Sequence, residues 1–137
     1  MYVTENYEVN ELVLGKRKGN SFENKILGDL RDTFGYECAH KTKGSGNAED
    51  DRGDIIFKER YIIECKHHKD MPWSKLTHIW NKLKKECEQM DLLMKAKPEP
   101  VVIYRVNRQP IMVLTYVYIK ERKTRGVICY DVWKQVM

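Results

Sequence analysis

The sequence predicts an α/β domain in which a central mixed β-sheet is flanked by helices. Two stretches place apolar residues at every third or fourth position, as amphipathic helices do, and short runs of β-branched and aromatic residues between them indicate strands. These segments follow the order α-β-β-β-α-β-β, which suits a mixed sheet covered by helices. The chain has 137 residues, a common size for one domain, and no repeat or linker divides it. We therefore expect a single domain over residues 1–137.

The first helix is predicted to begin at Asn20 or Ser21, whose side chains can cap a helix, and to end near Phe34. Gly35 follows, and glycine is the usual residue just after a helix. Residues 1–15 are ambiguous and form either an N-terminal arm or an extra strand.

Three strands are predicted after this helix. Tyr36–His40 is the first, and the polar stretch 41–53, which contains three glycines, must be a loop. Asp54–Phe57 and Tyr61–His67 follow, joined by a tight turn over Lys58–Arg60. The two strands on either side of this turn should form an antiparallel hairpin.

A long second helix is predicted from about Trp73, and prolines at 98 and 100 end it. Its apolar stripe consists of Leu76, Ile79, Trp80, Leu83, Cys87, Met90 and Met94. The remaining segments are strands over Val101–Arg105 and Ile111–Ile119, and a strand or short helix over 127–133.

The composition favours an intracellular protein that meets a polyanion. The formal charge is +5 and the pI about 9.0, and the basic residues form clusters, as in proteins that bind a phosphate backbone. A merely solvated basic surface is the alternative. No apolar run approaches the ~20 residues that a membrane span needs, so we expect no membrane contact. The four cysteines are scattered, which favours reduced thiols and a cytoplasmic location.

Two carboxylates and a lysine stand at the ends of the hairpin strands. If Lys58–Arg60 is a three-residue turn, the register places Asp54 directly opposite Glu64. Carboxylates so paired lie roughly 4.5–5.5 Å apart between Cβ atoms, where like charges are destabilising. A divalent cation or a neighbouring ammonium group would relieve the repulsion, and Lys66 lies on the same face of its strand as Glu64. Carboxylate oxygens suit Mg²⁺ or Mn²⁺.

The alternative for this hairpin is that both acids lie in solvent at strand ends. A third acid, Glu23, favours the first interpretation, because it falls inside the apolar arc of the first helix. A carboxylate on a buried stripe is costly unless it is paired or bound to a metal. Glu23 could instead reach solvent or cap the helix backbone. The arc consists of Phe22, Ile26, Leu27, Leu30 and Phe34.

Taken in order, these residues resemble the archaeal-type Holliday junction resolvases, which belong to the PD-(D/E)xK nuclease superfamily. The matching features, from Lys16 to about Lys69, are a basic segment with glycine, a glutamate in the first helix, a Ser/Gly loop, Asp-Ile and Glu-x-Lys. Gly53 stands where the superfamily often has proline. The resemblance implies a restriction-endonuclease-like core, a homodimer and metal-dependent resolution of four-way DNA junctions. The stripe of the second helix is then either core or a candidate dimer interface.

Carried over by position, the resemblance makes Asp54 and Glu64 ligands of Mg²⁺, with Mn²⁺ as the alternative cation. The backbone carbonyl of Cys65 would be a further ligand, and Glu23 would complete the site directly or through water. Lys66 would orient or help deprotonate the attacking water. The residues expected to contact DNA are Lys16, Arg17, Lys18, Lys41, Lys43, Ser45 and Lys69.

Other activities use the same catalytic residues. A nicking, repair or restriction-like enzyme that acts on duplex or flap DNA is the nearest alternative to a resolvase. A non-catalytic DNA-binding subunit would be expected to lack some of the four residues Glu23, Asp54, Glu64 and Lys66, and all four are present. The sequence therefore predicts a metal-dependent endodeoxyribonuclease.

Overall fold

The computed structural model describes residues 7–42, 53–90 and 97–137, and the side chains from residue 21 onward within these ranges. A short 3-10 turn precedes the first strand. The helices and strands are α1 (Tyr7–Phe34), β1 (Ala39–Lys41), β2 (Ile55–Phe57), β3 (Tyr61–His68), α2 (Trp73–Gln89), β4 (Glu99–Val106), β5 (Met112–Ile119), β6 (Arg122–Cys129) and α3 (Tyr130–Val136).

The described strands form one mixed sheet in the order β1-β2-β3-β4-β5-β6. Strands β3 and β4 are parallel, and the other neighbours are antiparallel. Helix α2 lies between β3 and β4 in the chain, because parallel neighbours need a long crossover. The predicted fold class, a central mixed sheet flanked by helices, is confirmed.

Helices cover both faces of the sheet. One cluster of buried side chains joins α1 and α3 to one face, and a second cluster joins α2 to the other. Strand β3 contributes to both, with Ile63 and Cys65 in the first cluster and Ile62 in the second. Because side chains alternate along a strand, Glu64 and Lys66 lie on the same face as Ile62, towards α2.

Helix α1 begins at Tyr7, which corrects the expectation of an arm or strand followed by a helix start at Asn20 or Ser21. A capping side chain contributes only about 1 kcal/mol, so these residues do not end a helix that already continues from preceding turns. Four members of the predicted stripe, Phe22, Ile26, Leu27 and Leu30, are buried, and Phe34 is partly buried.

The segment after α1 also differs from the expected strand over Tyr36–His40. Residues Tyr36–Cys38 form the 3-10 turn, and only Ala39–Lys41 is extended. Gly35 has a φ of 106°, a conformation that glycine adopts without strain. It turns the chain sharply out of α1, so fewer residues remain to pair with β2.

The later elements occur in the predicted order. Helix α2 begins at Trp73 as predicted but ends at Gln89, before the prolines at 98 and 100 that were expected to end it, and the predicted stripe residue Met94 lies outside the described residues. The stretch 127–133 contains both of the expected elements, since β6 ends at Cys129 and α3 begins at Tyr130. All four cysteines are free thiols. Within the described ranges, none of the helices combines the length and apolar character that a membrane span requires.

Candidate active site

Asp54 lies where the chain enters β2, beside the middle of β3. Ile55 pairs with Ile63, as the three-residue turn predicts, and Asp54 stands one residue before this ladder. Its N–H donates to the carbonyl oxygen of Ile63 at 2.8 Å. Its carboxylate Oδ2 accepts the N–H of Cys65 at 2.7 Å. Asp54 is therefore fixed to β3 on both sides of Glu64.

Gly53 sets the direction of the chain into this position. Its φ is 74°, and a Cβ atom at this residue would lie 2.5 Å from Cγ2 of Ile62, which is far inside van der Waals contact. The Thr42 hydroxyl donates to the Gly53 carbonyl oxygen at 2.8 Å. The close approach of the backbone to β3 therefore requires glycine, and it brings the Asp54 carboxylate within reach of the Cys65 N–H.

Glu64 and Lys66 form an ion pair on the α2 face of β3. Lys66 Nζ lies 3.1 Å from Glu64 Oε1, and both side chains are partly shielded from solvent. They border a cavity of about 170 Å³ between β3 and α2. The cavity is lined by Glu64, Lys66, His78, Ile79, Lys82, Leu83 and Glu86.

Glu23 is buried in α1, as its place on the apolar arc predicted. It is 9% exposed, and Lys41 Nζ lies 3.9 Å from its Oε1. Its charge acts on Asp54, since it helps to raise the pKa of that residue. The structure therefore brings Glu23 and Glu64 each within electrostatic range of Asp54, although Glu23 belongs to a helix on the other face of the sheet from Glu64.

The environment of Asp54 favours its neutral form. Burial, followed by repulsion from the Glu64 and Glu23 carboxylates, raises the pKa of Asp54 to about 8, despite the Cys65 N–H and the charge of Lys66. Burial and the same three acids raise the pKa of the Cys65 thiol, so this thiol is a core group and not a nucleophile. Carboxyl groups are thus crowded at a shielded position, where ionising all of them at once is costly.

The donor chemistry at Asp54 and Glu64 fits a divalent cation. Two carboxylates that repel each other in a shielded site are relieved by a hard cation, which prefers oxygen ligands and keeps several waters. Within residues 7–42, 53–90 and 97–137, however, no three His, Cys, Asp or Glu side chains converge closely enough to enclose a metal ion. The fit therefore rests on two protein carboxylates, and the roles predicted for Glu23 and the Cys65 carbonyl stay predictions.

The residues predicted to contact DNA are only partly described. Lys41 is exposed at the end of β1, and Lys69 is exposed just after β3. The backbone of 16–18 is part of α1, but the side chains of Lys16, Arg17 and Lys18 are not described. Lys43 and Ser45 lie outside the described residues.

Sequence reasoning missed the wall of the cavity that α2 supplies. His78, Lys82 and Glu86 all line it, at successive intervals of four residues. This spacing places them on one side of a helix, and it could have been recognised in the sequence. What it could not show is that this flank faces Glu64.

Comparisons with known proteins relate the chain to a family and to solved structures. The family described as "Phage putative PDDEXK endonuclease" matches residues 15–130. Among solved structures, the chain is similar to Hjc, a Holliday junction resolvase from the archaeal hyperthermophile Archaeoglobus fulgidus, with a TM-score of 0.43 and 16% sequence identity, covering 84% of this chain and 89% of that one. No curated protein matches the sequence.

The family match spans most of the chain, including α2 and the whole sheet. It covers Glu23, Asp54, Glu64 and Lys66, the residues whose positions have been described. The chain belongs to the phage PDDEXK endonuclease family of PD-(D/E)xK nucleases.

Proposed function

We propose that this protein is a metal-dependent DNA endonuclease that resolves four-way junctions by paired cuts. The observation that carries the hydrolytic chemistry is the buried Asp54 carboxylate held beside Glu64 and Lys66. Membership of a nuclease family supports the same chemistry. The choice of a junction as substrate rests on the resemblance of residues 16–69 to the archaeal-type resolvases.

Asp54 and Glu64 are the proposed ligands of Mg²⁺ or Mn²⁺, with Glu23 and the carbonyl of Cys65 as further ligands. When bound, the cation supplies Lewis-acid activation of the phosphate and lowers the pKa of a coordinated water. The Cys65 N–H holds one oxygen of Asp54. This hydrogen bond fixes the orientation of the carboxylate and keeps its other oxygen available.

Lys66 is proposed to position the attacking water and to stabilise charge on the phosphate. Its ammonium group lies 3.1 Å from Glu64, so the carboxylate that would hold the cation also holds Lys66 in place. A fixed positive charge aimed at a developing oxyanion costs no reorganisation during the reaction. The resemblance implies products with a 5′-phosphate and a 3′-hydroxyl.

Resolution of a junction needs two matched cuts, and a two-fold dimer supplies two active sites in that arrangement. The apolar stripe of α2 does not provide the interface, because Leu76, Trp80, Leu83 and Cys87 are buried against the chain's own sheet. The stripe had two possible roles, core packing or a dimer interface, and it packs in the core. The proposed homodimer must therefore form through another surface.

The test compares cleavage of a labelled four-way junction with cleavage of a linear duplex of the same sequence, with Mg²⁺ and with EDTA. Paired cuts that require Mg²⁺ and are confined to the junction are expected. Equal cutting of both substrates would retain the nuclease but reject the resolvase, in favour of an enzyme of duplex or flap DNA. Cutting in EDTA would reject the metal-dependent mechanism.

A further inference from the structure

Aromatic and basic side chains alternate on the β5–β6 hairpin and the adjoining end of α2. The Arg125 guanidinium lies 5.2 Å from the centre of the Trp73 ring and 5.9 Å from that of Trp80. Next to it, Lys123 Nζ lies 4.1 Å from the centre of the Tyr116 ring. Trp80 is buried and meets Tyr116 edge-on at 5.0 Å. We call these aromatic and basic side chains the aromatic-basic strip. Core packing fixes the inner side of this strip.

The outer side of the strip faces solvent. Trp73 is 55% exposed and Tyr118 is 60% exposed, and exposed large aromatic groups that cluster together mark interaction sites. Lys123 pairs with Glu99 at 3.3 Å. Among the described residues, by contrast, no carboxylate lies within ion-pair distance of Arg125. Within the described ranges, Arg125 therefore carries a charge that is stacked on rings but not neutralised by a carboxylate.

The strip lies on the same face of the sheet as the candidate active site. Arg125 pairs with Tyr116 across the β5–β6 ladder, and directly opposed residues share a face. Tyr116 packs against the α2-side cluster, to which Ile62 belongs, and Glu64 lies on the same face of β3 as Ile62. Three strand spacings separate β3 from β6, which is about 14 Å.

Helix α2 separates the two sites, and its exposed surface is basic. At 100° per residue, the cavity residues Ile79, Lys82 and Glu86 fall on one flank of the buried stripe, and Trp73 falls on the other. Helix α2 carries four basic residues and two acidic ones, and hairpin residues 120–125 carry four basic residues and one acidic residue. The exposed lysines of α2 are Lys82, Lys84 and Lys85. A band of positive charge therefore runs from the cavity over α2 to the strip.

We propose that Arg125 and Lys123 form a second phosphate-binding surface, which holds a DNA arm that crosses α2 after leaving the active site. Trp73 acts as a positioning residue, because the Arg125 guanidinium lies over its ring, 5.2 Å from the ring centre. This inference rests on the proposed function, since its ligand is the DNA substrate. Phosphate contacts of this kind orient DNA without reading its sequence.

The experiment measures the affinity of the full chain for a labelled four-way junction in EDTA, over a series of salt concentrations. The double variant Lys123→Ala/Arg125→Ala is expected to bind about 10-fold more weakly near 0.1 M salt, with a salt dependence that is shallower by about one to two phosphate contacts. Trp73→Ala should weaken binding in the wild-type chain, and much less when Arg125 is already alanine. Arg125→Lys keeps the charge but loses the stacking of the guanidinium on the Trp73 ring. Its affinity for the junction should lie between those of wild type and Arg125→Ala.

Arg122→Ala is the matched control, because Arg122 alternates with Lys123 along β6 and lies on the opposite face. It removes one positive charge, as each half of the double variant does, and should change the affinity less than about 2-fold. Thermal unfolding shows which variants are folded. Equal affinities of the double variant and the Arg122→Ala control would overturn the inference.

Failure of the inference can be told apart from failure of the proposed function. If the double variant binds like wild type while Glu64→Gln abolishes cleavage, the strip is not a DNA surface and the nuclease proposal stands. If wild type neither binds nor cuts DNA, both are overturned.

Discussion

Replacing Asp54 by asparagine tests the electrostatic account of the candidate site. The side chain of asparagine keeps an oxygen that can accept the Cys65 N–H, which Asp54 accepts at 2.7 Å, but it carries no charge. Burial and repulsion raise the pKa of Asp54 from 3.8 to about 8, so the folded protein retains a proton that the unfolded chain releases. The free energy of unfolding must therefore fall as the pH rises from about 4 to about 8.

The size of this fall follows from the pKa difference. A pKa difference of about four corresponds to an upper limit of about 6 kcal/mol, since each pKa unit is worth about 1.4 kcal/mol. Part of this pKa rise comes from repulsion by the Glu64 and Glu23 carboxylates, and such coupling spreads the effect over several groups, so we expect about 2–3 kcal/mol in practice. Asp54→Asn should lack this loss and should be more stable than wild type at pH 8 by that amount.

The assay is urea unfolding in EDTA at pH 5, 6, 7, 8 and 9 for wild type, Asp54→Asn and the control Asp32→Asn. Asp32 is an exposed carboxylate on α1, so its variant should follow the wild-type pH dependence. If the free energy of unfolding depended on pH in the same way for wild type and Asp54→Asn, the prediction would be wrong. Such a result would show that Asp54 is no more difficult to ionise in the folded protein than in the unfolded chain.

Removal of the metal gives the complementary prediction. At pH 8 without EDTA, Mg²⁺ should stabilise the wild-type protein, because a ligand that binds only the folded state raises the free energy of unfolding. Asp54→Asn should gain less, since it has lost one of the two proposed carboxylate ligands. An equal gain in both proteins would place the cation elsewhere.

The remaining predictions concern the backbone and a contact between helices. Gly53→Ala should lower the free energy of unfolding by about 2–3 kcal/mol, because its Cβ would lie 2.5 Å from Cγ2 of Ile62. The control is Gly28→Ala, where nothing lies within 4 Å and alanine should stabilise the helix by up to about 1 kcal/mol. If urea unfolding showed no larger loss for Gly53→Ala than for Gly28→Ala, the prediction would be wrong. Burial alone would raise the pKa of Asp29, but hydrogen bonds, above all from Lys134, hold it below the usual value. Asp29 therefore contributes to the free energy of unfolding above about pH 4, and this contribution is lost as the pH falls. Asp29→Asn should lower the free energy of unfolding by less than about 1 kcal/mol at pH 7 and have no effect at pH 2. Denaturant unfolding at the two pH values measures the difference.

The sequence predicted the hairpin that carries the site with fair accuracy. A three-residue turn and two apolar runs were sufficient to determine the pairing of Phe57 with Tyr61, and alternation along β3 then placed Glu64 and Lys66 on one face. The arc of α1 correctly indicated that Glu23 is buried. These features depend on local periodicity, which is visible in a sequence.

Features that depend on tertiary contacts could not be predicted. The hydrogen bond from the Cys65 N–H to the Asp54 carboxylate exists because Gly53 brings the backbone against Ile62, and no local pattern specifies that approach. The start of α1 was missed because Asn20 and Ser21 are equally compatible with a cap and with a helix interior. The strip formed by the β5–β6 hairpin and Trp73 brings together segments that are far apart in the chain.

The most direct test of the account compares Glu64→Gln with Glu86→Gln in cleavage of a labelled four-way junction with Mg²⁺. Both glutamates line the same cavity, but Glu64 belongs to β3, where it pairs with Lys66 and acts on Asp54, whereas Glu86 belongs to α2. Glu64→Gln should reduce the cleavage rate by about 100-fold or more, while Glu86→Gln should stay within a few-fold of wild type. Substantial cleavage by folded Glu64→Gln, or an equal loss in both variants, would contradict the assignment of Asp54, Glu64 and Lys66 as the active site.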